Sequence, residues 1–162
     1  MEPTSRKYLF FDLDGTLTDS MPGIARAVQY ALRRFGIDVQ DLAALKPFLG
    51  PPLRDSFMEF YGMSPEEADR AVAVSREYFV PRGMFENELY PGIPELLAAT
   101  AAAGRVNVIA TSKPQPFAER IAAHFGIDRH FRLISGSTFD GRRKTKADVI
   151  RHALSALGIA PD

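Results

Sequence analysis

Tyr8-Leu9-Phe10-Phe11-Asp12-Leu13-Asp14-Gly15-Thr16 is an apolar run that ends in two carboxylates, a glycine and a hydroxyl. An unbroken apolar run closed by Asp and Gly reads as a buried strand, here over residues 8–13. Residues 106–111 and 133–136 form two more such runs, closed by Thr111 and Gly136. Helical patterns lie between the runs, and strands that alternate with helices imply a parallel α/β sheet.

Between the first two runs the chain spends residues 14–105, far more than the dozen or so that a single crossover needs, so an insertion is expected there. Its pattern is helical. Ile24, Val28, Ala31, Leu32 and Phe35 recur at helical spacing before Gly36, and Leu53, Phe57, Phe60 and Tyr61 do so after Pro51 and Pro52. Ser64-Pro65-Glu66-Glu67 combines an N-cap serine, a first-turn proline and a glutamate three residues on, and Ala68, Val72 and Phe79 supply the apolar face of a third helix. Tyr90-Pro91-Gly92-Ile93-Pro94 is rigid turn chemistry that closes the insertion. The expected division is therefore a helical cap over residues 21–89, set into a core made of 1–20 and 90–162. Core helices are expected through Leu96 and Leu97 up to Gly104, through Phe117, Ile121 and Phe125 up to Gly126, and through Val149, Ile150, Ala153, Leu154 and Leu157 up to Gly158.

Asp12 and Asp14 stand two residues apart at the end of an apolar strand, the place where open parallel sheets collect ligands. Strand alternation alone would aim both at one face. Two carboxylates so close repel unless a cation lies between them or one keeps a proton, and either condition suits phosphoryl transfer. One carboxylate attacks phosphorus, while the other protonates the leaving alcohol and then deprotonates the attacking water. Magnesium would offset the accumulated charge, with Asp12 and Asp14 as its ligands. Gly15 permits a sharp turn with exposed amides and Thr16 adds a hydroxyl, so this loop is a candidate to wrap a phosphate or orient the carboxylates.

Two further stretches carry candidate residues. Thr111 closes the second run and leads into a helix, where a hydroxyl can join backbone amides in binding an oxyanion. Thr145 and Asp148 make an N-cap pair before the last helix, which puts Lys146 in its first turn. A cation there opposes the helix dipole by about 0.3–1 kcal/mol, a cost recovered if Lys146 points at a phosphate and the nucleophile. Lys144 is the alternative lysine.

Asp12-Leu13-Asp14-Gly15-Thr16-Leu17-Thr18-Asp19-Ser20 resembles the first motif of phosphatases of the haloacid dehalogenase superfamily. That resemblance implies Asp12 as nucleophile and Asp14 as acid/base. Ala110-Thr111-Ser112-Lys113-Pro114 resembles the second motif, whose hydroxyl and following amide hold the transferring phosphoryl group, which makes Thr111, Ser112 and Lys113 candidate phosphate-binding residues. The stretch from Gly141 to Lys146 resembles the third, lysine-bearing motif, and its spacing favours Lys146. Gly50-Pro51-Pro52-Leu53 and Glu86-Asn87-Glu88-Leu89-Tyr90-Pro91-Gly92 look like the phosphoglycolate phosphatase and 5′-nucleotidase-like branch, which carries a helical cap. The resemblance implies a three-layer, Rossmann-like α/β core, a Mg2+ cofactor and a small phosphorylated metabolite as substrate. It also makes the loop of residues 50–54 a specificity element in which Arg54 meets an anionic group. The family continues past the last helix into a fourth strand whose acidic residues complete the magnesium site, a role not expected of Asp162; the sequence is accordingly expected to be a truncated or partial form.

Composition narrows the partners. Twenty Lys and Arg balance twenty Asp and Glu with no basic run, which excludes a nucleic-acid or anionic-lipid footprint. The polar start and the short apolar run before Asp12 fit neither a signal peptide nor a bilayer span, so a cytoplasmic protein with no membrane partner is expected, as a monomer or homodimer. The absence of cysteine removes disulfides and thiolate chemistry, leaving oxygen or histidine for any metal. The leading expectation is hydrolysis of a small phosphate monoester. The alternatives are phosphoglucomutase-like phosphoryl transfer and an inactive, truncated phosphate-binding module; dehalogenation is disfavoured because it needs no acid at Asp14.

Overall fold

The structure is a computed structural model that describes residues 7–160. In chain order its elements are β1 (Tyr8–Phe11), β2 (Thr18–Asp19), α1 (Met21–Arg34), α2 (Leu53–Tyr61), α3 (Pro65–Phe79), β3 (Glu88–Leu89), α4 (Ile93–Ala102), β4 (Val106–Pro114), α5 (Gln115–His124), β5 (Phe131–Ser137) and α6 (Lys146–Ala156). The chain forms two compact units, one of residues 1–17 and 89–162, the other of residues 18–88.

The first unit is built on a parallel sheet in the order β1-β4-β5, with α4, α5 and α6 packed on it. β4 is central and its Val108 and Ile109 are fully buried, as expected for a strand with neighbours on both sides. β1 differs from the reading of a buried strand over residues 8–13. It stops at Phe11 and lies at one end of the strand order, so Phe10 remains 36% exposed. The strand stops because the next residues fold on themselves: the Thr16 and Leu17 amides donate to Leu13 O at 3.2 and 2.9 Å, with Gly15 at φ 74°. A side chain at that φ would be strained, which is the reason for glycine there.

The second unit is helical. α1, α2 and α3 bury Val28, Leu32, Phe57, Ala68 and Ala71 around Phe48, whose ring lies 5.1 Å from that of Phe57 and 5.4 Å from that of Phe60. Ser64 and Glu67 form the full capping box of α3. A 3₁₀ segment over Leu42–Phe48, which sequence periodicity at 3.6 does not detect, presents Leu42, Leu45 and Phe48 at a spacing of three, the period of that helix. Among the described residues no helix is long and apolar enough to cross a membrane.

Candidate active site

Asp12 and Asp14 lie beyond the last paired residue of β1, so the turn over residues 13–17 places them, not the alternation of an extended strand. Asp12 accepts a hydrogen bond from the Leu13 amide through Oδ1 (2.8 Å), which fixes its carboxylate against the turn. Its Oδ2 faces Lys146 Nζ at 2.5 Å, and the same ammonium donates to Ala110 O at 2.8 Å. Lys146 is the first residue of α6, and the α6 N-terminus is set by a reciprocal capping box: Asp148 N donates to Thr145 Oγ1 (3.1 Å), and Thr145 N to Asp148 Oδ2 (2.9 Å). The Thr145 side chain and amide, with Arg151 nearby, hold the Asp148 carboxyl below its usual range. Lys144 is exposed, and it is Lys146 that reaches Asp12.

Asp14 has a different environment. Its Oδ2 pairs with Lys113 Nζ at 3.0 Å, both side chains largely covered (15% and 6% exposed), while its Oδ1 is buried with no hydrogen-bond partner among the described residues. Lys113 follows Thr111, which is 1% exposed and whose Oγ1 accepts from the Lys113 amide at 3.2 Å. The Thr111 oxygen is thereby held as an acceptor, and its own hydrogen remains to be donated. On β5, Ser135 is fully buried: it has one hydroxyl hydrogen, donated to Val149 O at 3.0 Å, so His152 Nδ1 donates to the Ser135 oxygen at 3.0 Å. These two bonds tie α6, and with it Lys146, to the sheet.

The structure thus gathers Asp12, Asp14, Thr111, Lys113 and Lys146 at one end of the sheet. Gly15 and Thr16 are exposed in the adjoining turn, but the Thr16 amide is spent on Leu13 O, so the hydroxyl is what that residue offers outward. Ser112 is partly covered. Arg54 belongs to the helical unit, where its Nε meets Asp69 Oδ1 at 2.7 Å, and that carboxylate raises the arginine pKa. Sequence reasoning assigned Lys113 to phosphate and missed its pairing with Asp14, for which the only available signal was a lysine embedded in a strand end.

Among the described residues no group of three or more His, Asp or Glu side chains could hold a metal ion. Magnesium is commonly held by one or two carboxylates, with water and substrate phosphate filling the other positions. Two hard-oxygen side chains, one with a buried oxygen that no donor among the described residues satisfies, fit that requirement. Asp162, considered above for the metal site, lies outside the described residues.

The parallel sheet and the paired carboxylates at its end define a class, and sequence comparison agrees with it: residues 7–162 match the haloacid dehalogenase-like hydrolases, and the chain belongs to that family. It is 51% identical over 154 residues to a protein of Pseudomonas aeruginosa named 5′-nucleotidase, covering 95% of this chain and 70% of that one. It is 40% identical over 158 residues to the Mycobacterium tuberculosis protein named tyrosine-protein kinase PtkA, of which it spans 54%. Other relatives are named phosphoglycolate phosphatase. Among solved structures, a predicted phosphatase from Clostridium acetobutylicum superposes with a TM-score of 0.90 at 48% identity, over 94% of this chain and 71% of the other.

Proposed function

We propose that this protein is a magnesium-dependent phosphatase that hydrolyses small phosphate monoesters through an aspartyl-phosphate on Asp12, acting in the cytoplasm as a monomer or homodimer. The observation that carries this reading is that each of two neighbouring carboxylates has its own lysine, Lys146 on Asp12 and Lys113 on Asp14. Such pairing lets both acids stand together without the repulsion that would otherwise drive one of them out of the site.

In the first half-reaction the Asp12 carboxylate attacks phosphorus and the bond to the leaving oxygen breaks, that oxygen taking a proton from Asp14. In the second, Asp14 recovers a proton from water, whose oxygen attacks the phosphoryl group and releases Asp12 and inorganic phosphate. Lys146 holds Asp12 and offsets the negative charge that gathers on the phosphoryl oxygens, and Thr111 donates its hydroxyl hydrogen to one of them. Asp12 and Asp14 are the residues that would hold Mg2+, which when bound supplies charge neutralisation and orientation to the phosphate. The helical stretch of residues 21–89 would serve as the cap.

The 5′-nucleotidase name of the 51%-identical relative favours a nucleoside monophosphate over phosphoglycolate as substrate. Phosphate release from a nucleoside monophosphate and from an aryl phosphate, with and without magnesium, tests the proposal. Turnover that needs magnesium and disappears in Asp12→Asn is expected, and turnover retained in that variant would contradict it. The name of the mycobacterial relative supports a second reading, transfer of the phosphoryl group from Asp12 to a tyrosine hydroxyl in place of water; a labelled phosphoryl group appearing on a tyrosine peptide would favour it.

A further inference from the structure

The pairing of β4 with β5 is irregular where the site begins. Ala110 is opposite Ser135 and Pro114 is opposite Ser137, so β4 spends four residues where β5 spends two. Thr111, Ser112 and Lys113 thus stand against the single residue Gly136 as a bulge, and bulges re-aim side chains that a regular ladder would send to alternate faces. Here Thr111 Oγ1 receives the Lys113 amide inside the bulge, and the Lys113 side chain runs under cover to Asp14 Oδ2.

Gly136, on β5 opposite the bulge, makes room for it. A Cβ on Gly136 would stand 2.6 Å from Gln115 Cα, 2.7 Å from Gln115 N and 2.7 Å from Lys113 O. All three are backbone atoms, which cannot swing aside as a side chain does, so any larger residue displaces the Lys113 carbonyl at the end of the bulge together with the first residue of α5.

The geometry points to Lys113 as a positioning residue for Asp14 and not a phosphate ligand, with Gly136 as the residue that lets the bulge deliver it. The ammonium holds one oxygen of Asp14 at 3.0 Å under cover and so fixes the carboxylate, whose other oxygen is buried with no hydrogen-bond partner among the described residues. This rests on the proposed role of Asp14 in protonating the leaving oxygen.

Leaving-group chemistry separates this role from its rivals. A proton from Asp14 matters for an alkyl phosphate, whose alkoxide leaves poorly, and matters little for 4-nitrophenyl phosphate. In this protein, Lys113→Met is expected to lower kcat/KM on an alkyl phosphate on the order of 10²-fold and on 4-nitrophenyl phosphate by less than about threefold. Inhibition by inorganic phosphate is expected to stay the same, and Lys113→Arg to recover part of the alkyl-ester activity. Gly136→Ala is expected to give the same leaving-group pattern with the lysine still present, and it carries the test if Lys113→Met does not fold. Equal losses on both esters, or a phosphate inhibition constant raised about tenfold or more, would overturn the inference and return Lys113 to the phosphate. An Asp14→Asn control without leaving-group dependence would sink the role of Asp14 itself, a separate result from failure of the lysine variants.

Discussion

The two carboxylate–lysine pairs are built from the same chemistry and placed in opposite surroundings. Asp12 and Lys146 are each about two-fifths exposed (39% and 40%), whereas Asp14 and Lys113 are nearly covered (15% and 6%). An open pair can be entered by a substrate and is weakly held, because water and salt screen it. A covered pair is screened less and holds one geometry, though neither charge tolerates losing its partner. The contrast matches the proposed division of labour: a nucleophile must be reached by phosphorus, and an acid/base must be kept at a fixed angle to an oxygen.

That comparison can be broken at its open half first. Lys146→Met removes the cation from Asp12, and a loss in kcat/KM on the order of 10²–10³-fold is expected for alkyl and aryl esters alike, since charge stabilisation serves both. A loss confined to the alkyl ester would instead give Lys146 the role argued for Lys113. Thr111→Val takes away a hydroxyl hydrogen meant for the phosphoryl group and is expected to cost roughly ten- to a hundredfold in kcat/KM. An unchanged rate would confine Thr111 to its bond with the Lys113 amide.

Smaller changes sharpen the comparison through the helix that carries Lys146. Thr145→Ala deletes half of the capping box and should lower stability by about 1 kcal/mol in a denaturant titration; an unchanged midpoint would show that the sheet alone sets that helix. The smallest effect is a pH dependence. Burial, and then the Arg143 charge, push the His152 imidazole below its ordinary 6.5. The folded protein therefore binds fewer protons at His152 than the unfolded chain does just below that pH, and stability rises with pH through the interval and is lost as pH falls. Tm is expected to decline on acidification below about pH 6.5, with a shallower slope in His152→Gln. An identical slope in the variant would remove His152 from the account.

What could be read from the sequence was local chemistry. Ser64 with Glu67 and Thr145 with Asp148 announce capping boxes by their spacing, and both boxes form. The apolar faces of α1, α2 and α3 follow from their helical period, since residues such as Val28, Leu32, Phe57 and Ala68 have one side to bury. The 3₁₀ segment at Leu42–Phe48 escaped because a search at 3.6 residues per turn blurs a period of three. Features that depend on a distant partner were not legible at all. The exposure of Phe10 depends on the strand order, and the bulge at Thr111 to Lys113 exists only relative to the register of β5. The ion pair of Arg54 with Asp69, fifteen positions on, was likewise out of reach of the sequence.

The most direct test of the account is to find the phosphoryl group on the enzyme during turnover. The full-length protein, mixed with substrate and magnesium, quenched in acid and digested, should yield a peptide spanning residues 8–16 that carries one phosphoryl group on Asp12, absent from Asp12→Asn. A site that turns over substrate while that peptide stays unmodified, or that carries the phosphoryl group on any other residue, would contradict Asp12 as the nucleophile and with it the reading of both carboxylates.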